Sequence, residues 1–262
     1  MKKIVVITGA SAGIGEELAK IIKYKDAIVY NLSRRNTMVS DVITIPTDVT
    51  NEQSVKNAIA LIENEHGRID VLINNAGIGI SGAIEDTSIV DAKYIFDVNF
   101  FGSFLLCREV VPLMRKNGGG TIVNMSSVAA AISIPFQSFY SATKAALTAF
   151  SDSLRSEVKP YKIRVVTILP GDVKTDFTQN RKKNSNNSRV YGARIEKSVA
   201  VMEKDEQNGI PAYIAAKKIS NVALKKKPPL QMVIGGKYKV FVWLLKIVPL
   251  RLVRFIVDKM YG

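Results

Sequence analysis

"KIVVITGASAGIGEELAKIIKY", Lys3–Tyr24, is the stretch whose reading decides the fold. Its first six residues are a short run rich in Val and Ile, as a strand buried on both faces requires. Gly9, Gly13 and Gly15 then punctuate a tight turn, and from Gly13 the pattern becomes helical. A helix that starts this abruptly has its first amides unpaired, and those amides together with the helix dipole attract a pyrophosphate. Glycine accepts positive φ and lets a phosphate approach the backbone. Ser11 adds a hydroxyl donor. The spacing differs from G-x-G-x-x-G, but the physics is the same. Lys2 and Lys3 imitate the start of a secretory leader. The apolar run is too short for one, so a cytoplasmic chain is expected.

The same alternation runs outward from this stretch. "AIVYNLS" (27–33), "DVITIPTDV" (41–49), "IDVLINNAG" (69–77), "GTIVNMSS" (120–127) and "IRVVTILPG" (163–171) read as further strands buried on both faces, with "LQMVIGG" (230–236) a seventh. Helical patterns lie between them. One begins after Thr50, read as its N-cap, and ends at Gly67. A second runs from about Asp86 to Lys116, and a third from Gln137 to Lys159, stopped by Pro160. Strands alternating with helices imply an α/β fold: a single Rossmann-type, doubly wound parallel sheet of about seven strands, with helices on both faces and right-handed crossovers. No linker divides the chain, so residues 1–262 are expected to form one domain.

Two segments break the rhythm. Residues 178–194 are polar and follow a strand's C-terminal end, where open α/β sheets bind ligands; a mobile substrate lid over about 176–194 is expected. Residues 238–262 form an apolar, basic tail interrupted by Lys246, Pro249, Arg251 and Arg254. It is a poor transmembrane helix. An amphipathic helix, broken near Pro249, would cover the pocket or a subunit interface, or lie in a membrane surface.

Composition narrows the partners. The net charge of +14 invites nucleic acid, anionic lipid or a phosphorylated ligand, but no nucleic-acid-binding motif accompanies the scattered lysines and arginines. One His and one Cys exclude a disulfide framework and a structural zinc site, and no metal is expected. Cys107, inside an apolar run, reads as a buried structural thiol. After the second strand stand Ser33, Arg34 and Arg35, with no acidic residue. An acid there would bind a ribose 2′-hydroxyl, whereas arginine accommodates a 2′-phosphate. NADP(H) is therefore preferred, with NAD(H) the alternative.

In "QSFYSATKAALTAF" (137–150), Tyr140 and Lys144 stand four residues apart, which puts both on one helical face. A free phenol, with a pKa of about 10, is a poor proton donor and a poor base at neutral pH. An adjacent ammonium favours the phenolate and is expected to lower that value.

"TGASAGIG" (8–15), "DVT" (48–50), "NNAG" (74–77), "VNFFG" (98–102), "IVNMSS" (122–127), "YSATK" (140–144) and "PGDVKT" (170–175) occur in one order over residues 1 to about 176. The sequence resembles the short-chain dehydrogenase/reductase family. The resemblance implies a catalytic set of Asn99, Ser127, Tyr140 and Lys144. Ser127 is chosen over Ser126 because family members place the serine about thirteen residues before the tyrosine; Ser126 would then face the other side of its strand. It implies that Tyr140 exchanges a proton with a carbonyl oxygen, that Ser127 donates to that oxygen, that Lys144 bonds the nicotinamide ribose, and that Asn99 holds a water. Cofactor contacts implied or read from the turn are Gly9, Ser11, Ala12, Gly13, Ile14 and Gly15, then Arg34, Arg35, Asp48 and Val49. Asn75, Ala76 and Gly77 follow, then Pro170, Gly171, Val173 and Thr175, besides Tyr140 and Lys144.

The pocket wall is expected along 129–136, at Phe139 and after Phe177, and is mostly apolar. A hydrophobic ketone or secondary alcohol, steroid-, retinoid- or lipid-like, suits it better than a sugar phosphate. A homodimer or homotetramer is implied by the resemblance. The competing readings are an NADP(H)-binding redox sensor without turnover and a scaffold at a membrane surface.

Overall fold

The computed structural model describes residues 1–184, 189–245 and 247–261. Seven parallel strands form one sheet: β1 (Lys3–Thr8), β2 (Ala27–Ser33), β3 (Val42–Pro46), β4 (Val71–Asn74), β5 (Gly120–Met125), β6 (Ile163–Pro170) and β7 (Gln231–Ile234). Their spatial order is β7-β6-β5-β4-β1-β2-β3, the expected doubly wound sheet.

Alternation within each strand feeds two cores. Ile4 and Val6 of β1 and Tyr30 and Leu32 of β2 pack with α2 (Glu52–His66), α4 (Gly102–Lys116) and α5 (Ser138–Val158). Val5, Ile7 and Val29 face the opposite side, against α1 (Gly13–Ile22) and α7 (Ala212–Ala223). Having a core on each face explains the near-continuous apolar runs of the central strands. β3 departs from that expectation: it is an edge strand, and Ile43 is exposed. Cys107 is buried, and burial pushes its thiol up to about 12.

Helix boundaries follow local chemistry, with two corrections. The N-cap of α2 is Asn51, not Thr50: the Asn51 side chain accepts a hydrogen bond from the Ser54 amide at 2.8 Å. Gly67 closes that helix in the left-handed region, at φ 67°. The stretch expected from Asp86 begins later, at α3 (Ile89–Phe96), where the Ser88 side chain caps it. It then widens into a π-helical turn over Asp97–Phe101 before α4.

The lid region is better anchored than its polar composition implied. Lys182–Lys183 pairs with Ile80–Ser81, the Arg181 side chain is buried, and α6 (Arg194–Gln207) follows. Residues 185–188 of the expected lid lie outside the described residues. The tail breaks at Pro249 as expected, into α8 (Gly236–Leu244) and α9 (Leu250–Tyr261). Its residues Lys246 and Gly262 lie outside the described set. Among the described residues, no helix is long and apolar enough to cross a membrane.

Candidate active site

The residues after β1 to β6 converge on a cavity of about 910 Å³ at the C-terminal edge of the sheet. Its first end is built by the glycine turn. Thr8 Oγ1 accepts from the amides of Asn75 and Ala76, both at 2.9 Å. Asn75 Nδ2 donates to the carbonyls of Thr8 (3.0 Å) and Gly9 (3.3 Å), and the Ala10 amide donates to Asn31 Oδ1 at 2.9 Å. These bonds fix the turn from behind and leave Gly9 and Ser11–Ile14 lining the cavity.

No side chain caps the start of α1. Its first amides are therefore open to an anion. Gly9, at φ 68°, lies so close to β4 that a Cβ would meet Ala76 Cα at 3.1 Å. Gly15 is the exception among the turn residues: it does not line the cavity. A Cβ there would sit 2.5 Å from Gly9 O and Asn75 Nδ2, so its contribution is close packing beneath the turn.

Arg34 and Arg35 are exposed on the cavity rim. Ser33 Oγ donates to Arg35 O at 2.6 Å, and Arg34 Nη1 lies 3.4 Å from Tyr94 Oη. Asp48 and Val49 line the same side; Asp48 Oδ1 accepts from the Thr50 amide (3.0 Å) and hydroxyl (2.8 Å).

At the middle of the cavity α5 presents Tyr140 and Lys144. Ser126 and Ser127, just after β5, turn to different partners. Ser126 Oγ donates to Lys144 O at 2.9 Å and lies 2.8 Å from Thr148 Oγ1, tying β5 to α5. Ser127 lines the cavity with Tyr140, and its Oγ accepts from the Ala129 amide at 3.1 Å. Lys144 Nζ donates to Met125 O at 2.8 Å and lies 5.7 Å from the Tyr140 ring centroid. Gly77 leaves room for it: a Cβ there would lie 3.5 Å from Lys144 Nζ and 3.3 Å from Asn99 Oδ1.

Asn99 sits on the π-helical turn, is fully buried and does not line the cavity. Its Oδ1 accepts from the Ile78 amide at 2.8 Å. Its Nδ2 donates to Ile78 O (3.0 Å) and Thr143 Oγ1 (3.1 Å). Both amide protons are thus committed to the protein, and this side chain clamps the segment after β4 to the start of α5. Thr143 completes the link by donating to Tyr140 O at 2.8 Å.

The electrostatics correct one expectation. Burial, the largest cause, pushes the Tyr140 phenol up to about 12; Glu206 adds to the rise, while Ser127 and Arg181 oppose it. Burial also pulls the Lys144 ammonium down to about 8. The low-dielectric site disfavours both charged forms. The polypeptide by itself holds a protonated tyrosine, suited to donating.

The far end is walled by Val128, Ala129, Ile132, Ile134, Phe177 and Phe241, with Val257, Met260 and Tyr261 from α9. Phe136, expected in this wall, instead packs edge-on against Tyr191, with centroids 5.6 Å apart. Its φ of 61° turns it toward the small cluster under α6. Phe139 does not line the cavity either.

Several groups here were not found by sequence reasoning. Glu206 accepts from Thr178 Oγ1 at 2.7 Å and pairs with the buried Arg181, which in turn lies beside Phe177. Phe177 lies 5.7 Å from the Tyr140 ring. Tyr238 lies in the space that a side chain at Gly171 would need and donates to Asp172. These residues are dispersed from 171 to 238, so no local motif announces them. Pro170, Gly171, Val173 and Thr175 line the cavity as expected.

A family model described as short chain dehydrogenase matches residues 3–186. The chain is 38% identical over 236 residues to the 3-ketodihydrosphingosine reductase of Bacteroides thetaiotaomicron, covering 89% of this chain and 88% of that protein. A short-chain dehydrogenase from Streptomyces avermitilis superposes with a TM-score of 0.85 at 29% identity, covering 98% of this chain and 95% of the other. ElxO, in a structure with NADP bound, superposes with a TM-score of 0.76 at 25% identity, covering 92% and 100%.

Proposed function

The chain belongs to the short-chain dehydrogenase family and is an oxidoreductase of CH–OH and C=O groups that uses a nicotinamide dinucleotide; from that premise we propose that it reduces a long-chain hydrophobic ketone with NADPH. The observation that carries the proposal is that Ser127, Tyr140 and Lys144 line one cavity between an uncapped helix start and an apolar chamber. The residues fit the dinucleotide. The glycine turn admits close backbone approach, the uncapped first amides of α1 would hold its pyrophosphate, and Arg34 and Arg35 on the cavity rim would pair with a 2′-phosphate. Bound there, the cofactor supplies the hydride.

The chain's own residues do the rest. Ser127 and Tyr140 hydrogen-bond the carbonyl oxygen and stabilise the charge that develops on it. Tyr140 then gives that oxygen its proton. Lys144, beside Gly77, holds the ribose side and keeps positive charge near the phenol. Asn99 and Thr143 position both elements. Asp48, Val49 and Asn75–Gly77 flank the adenosine half, and Pro170, Gly171, Val173 and Thr175 the nicotinamide half. The whole chain acts as one catalytic domain in the cytoplasm, with peripheral membrane contact through the tail. Membership of the family supports a homodimer or homotetramer.

Loss of NADPH absorbance with 3-ketodihydrosphingosine, a ketone of the kind named for the Bacteroides relative, tests the substrate. It is expected to exceed the rate with a short ketone or a sugar. A faster rate with the sugar would overturn the hydrophobic assignment, and no turnover of any carbonyl would favour a redox sensor. Replacing Arg34 and Arg35 with Ala is expected to weaken NADPH binding roughly tenfold or more, as loss of charge-assisted bonds does. NADH binding should change little. Equal losses by titration would place 2′-phosphate recognition elsewhere.

A further inference from the structure

The inner faces of α8 and α9 pack on one cluster with Val128, Ile132 and Leu169, and two tyrosine–aspartate bonds strap them down: Tyr238 to Asp172, and Tyr261 to Asp205 at 3.2 Å. Their outer faces stay apolar. Val253, Val257 and Tyr261 form the inward stripe of α9. Leu252, Ile256 and Met260 form a second stripe beside it, also at i, i+4, i+8, and are half exposed. Trp243 of α8 is 59% exposed and Phe255 of α9 60%. Contiguous exposed apolar surface of this kind marks an interaction site.

We propose that the outer face of α8–α9 docks on an anionic lipid bilayer, so that the hydrophobic substrate passes from the lipid along the Leu252–Ile256–Met260 stripe into the cavity. Met260 joins the two places, being both half exposed and part of the cavity wall. Charge selects the occupant. Between residues 237 and 261 the sequence carries Lys237, Lys239, Lys246, Arg251, Arg254 and Lys259 against Asp258 alone. Lys237 pairs with Asp172 and Arg254 donates to Ser133 O, but Lys239, Arg251 and Lys259 are exposed; a second copy would set these three against their own kind, whereas an anionic surface neutralises them. Lys259 lies over the Phe255 ring, 5.6 Å from its centroid, so charge and apolar surface share one face. Amphipathic helices that lie in a bilayer interface have this composition. Neither helix is long enough to span, which leaves the surface as the place of contact. The passage of substrate rests on the proposed reduction of a hydrophobic ketone; the docking itself does not.

The full chain is to be co-sedimented with vesicles of phosphatidylcholine alone and of equal parts phosphatidylcholine and phosphatidylglycerol. Pelleting is expected only with the anionic vesicles, weakening as salt rises. Replacing Arg251 with Gln should lower partitioning about fivefold. The double variant Trp243→Ser, Phe255→Ser should lose pelleting while still reducing a short soluble ketone at the parent rate. Pelleting should persist in Tyr140→Phe, which separates failure of the chemistry from failure of the docking. Three results overturn the proposal: no pelleting, equal pelleting of the double variant, or conversion of that variant to a smaller oligomer in size-exclusion chromatography. The last would assign the face to a second copy.

Discussion

Tyr140→Phe is expected to lower turnover by roughly three orders of magnitude while leaving NADPH affinity within about twofold, since a positioned proton donor contributes 10²–10⁴. The ring would keep its place beside Phe177, 5.7 Å away, so only the hydroxyl is lost. That hydroxyl lines the cavity with Ser127, and burial pushes its pKa up to about 12, so it is held protonated. Single-turnover rates separate the step from binding. Parent-like turnover in this variant would remove Tyr140 from the chemistry and with it the proposed mechanism.

Lys144→Met is expected to abolish most turnover and to change how stability depends on pH. An unfolded lysine keeps its proton up to about 10.5, whereas burial makes Lys144 release it near 8 in the cofactor-free chain. Between those values the unfolded chain binds the extra proton, so the parent's stability rises with pH, by up to ~1.4 kcal/mol per unit. Below pH 8 the buried ammonium costs the fold on the order of 3 kcal/mol. Tyr140 acts in the opposite sense only above pH 10, where the unfolded phenol ionises and the folded one does not. Cys107 also acts in the opposite sense, above about pH 9, where an unfolded thiol ionises and the buried one does not, so the difference between parent and variant in denaturant titrations from pH 8 to 10 isolates Lys144. The variant should lose the rise and, below pH 8, gain stability from the missing charge. An unchanged slope would mean that Lys144 is not deprotonated in that window. A gain in stability with a loss of activity is what a charge kept for function produces.

Much of the site was legible because its chemistry is local in sequence. The turn at 8–15 needs only a strand, glycines and a helix start in succession. Tyr140 and Lys144 need only one helical turn. Arg34 and Arg35 follow from their place at a strand end. The partner residues were less legible. Ser127 was preferred to Ser126 by spacing; in the fold Ser126 is tied to α5 through Lys144 O and Thr148, while Ser127 lines the cavity. Asn99 was legible as a site residue, but its burial behind Gly77 and Ile78 depends on a π-helical turn that periodicity blurs into one long helix. Arg181, Glu206 and Tyr238 carry no motif, because three separate segments bring them to the cavity. Gly15 looked like a ligand contact because glycines in a phosphate turn share one signature, whether they touch the ligand or the neighbouring strand.

By itself the sequence determined the parallel sheet, the glycine turn and the spacing of Tyr140 and Lys144, since each rests on hydrogen bonding and side-chain direction within a few residues. Only the tertiary structure decided the balance of charge around Tyr140 and the identity of the far wall. Desolvation is a property of everything packed around a group, and at Tyr140 it outweighs the opposing effects of Ser127 and Arg181. The wall is closed by α9, whose contacts come from chain more than a hundred residues beyond Tyr140. No local pattern encodes which face of that helix turns inward.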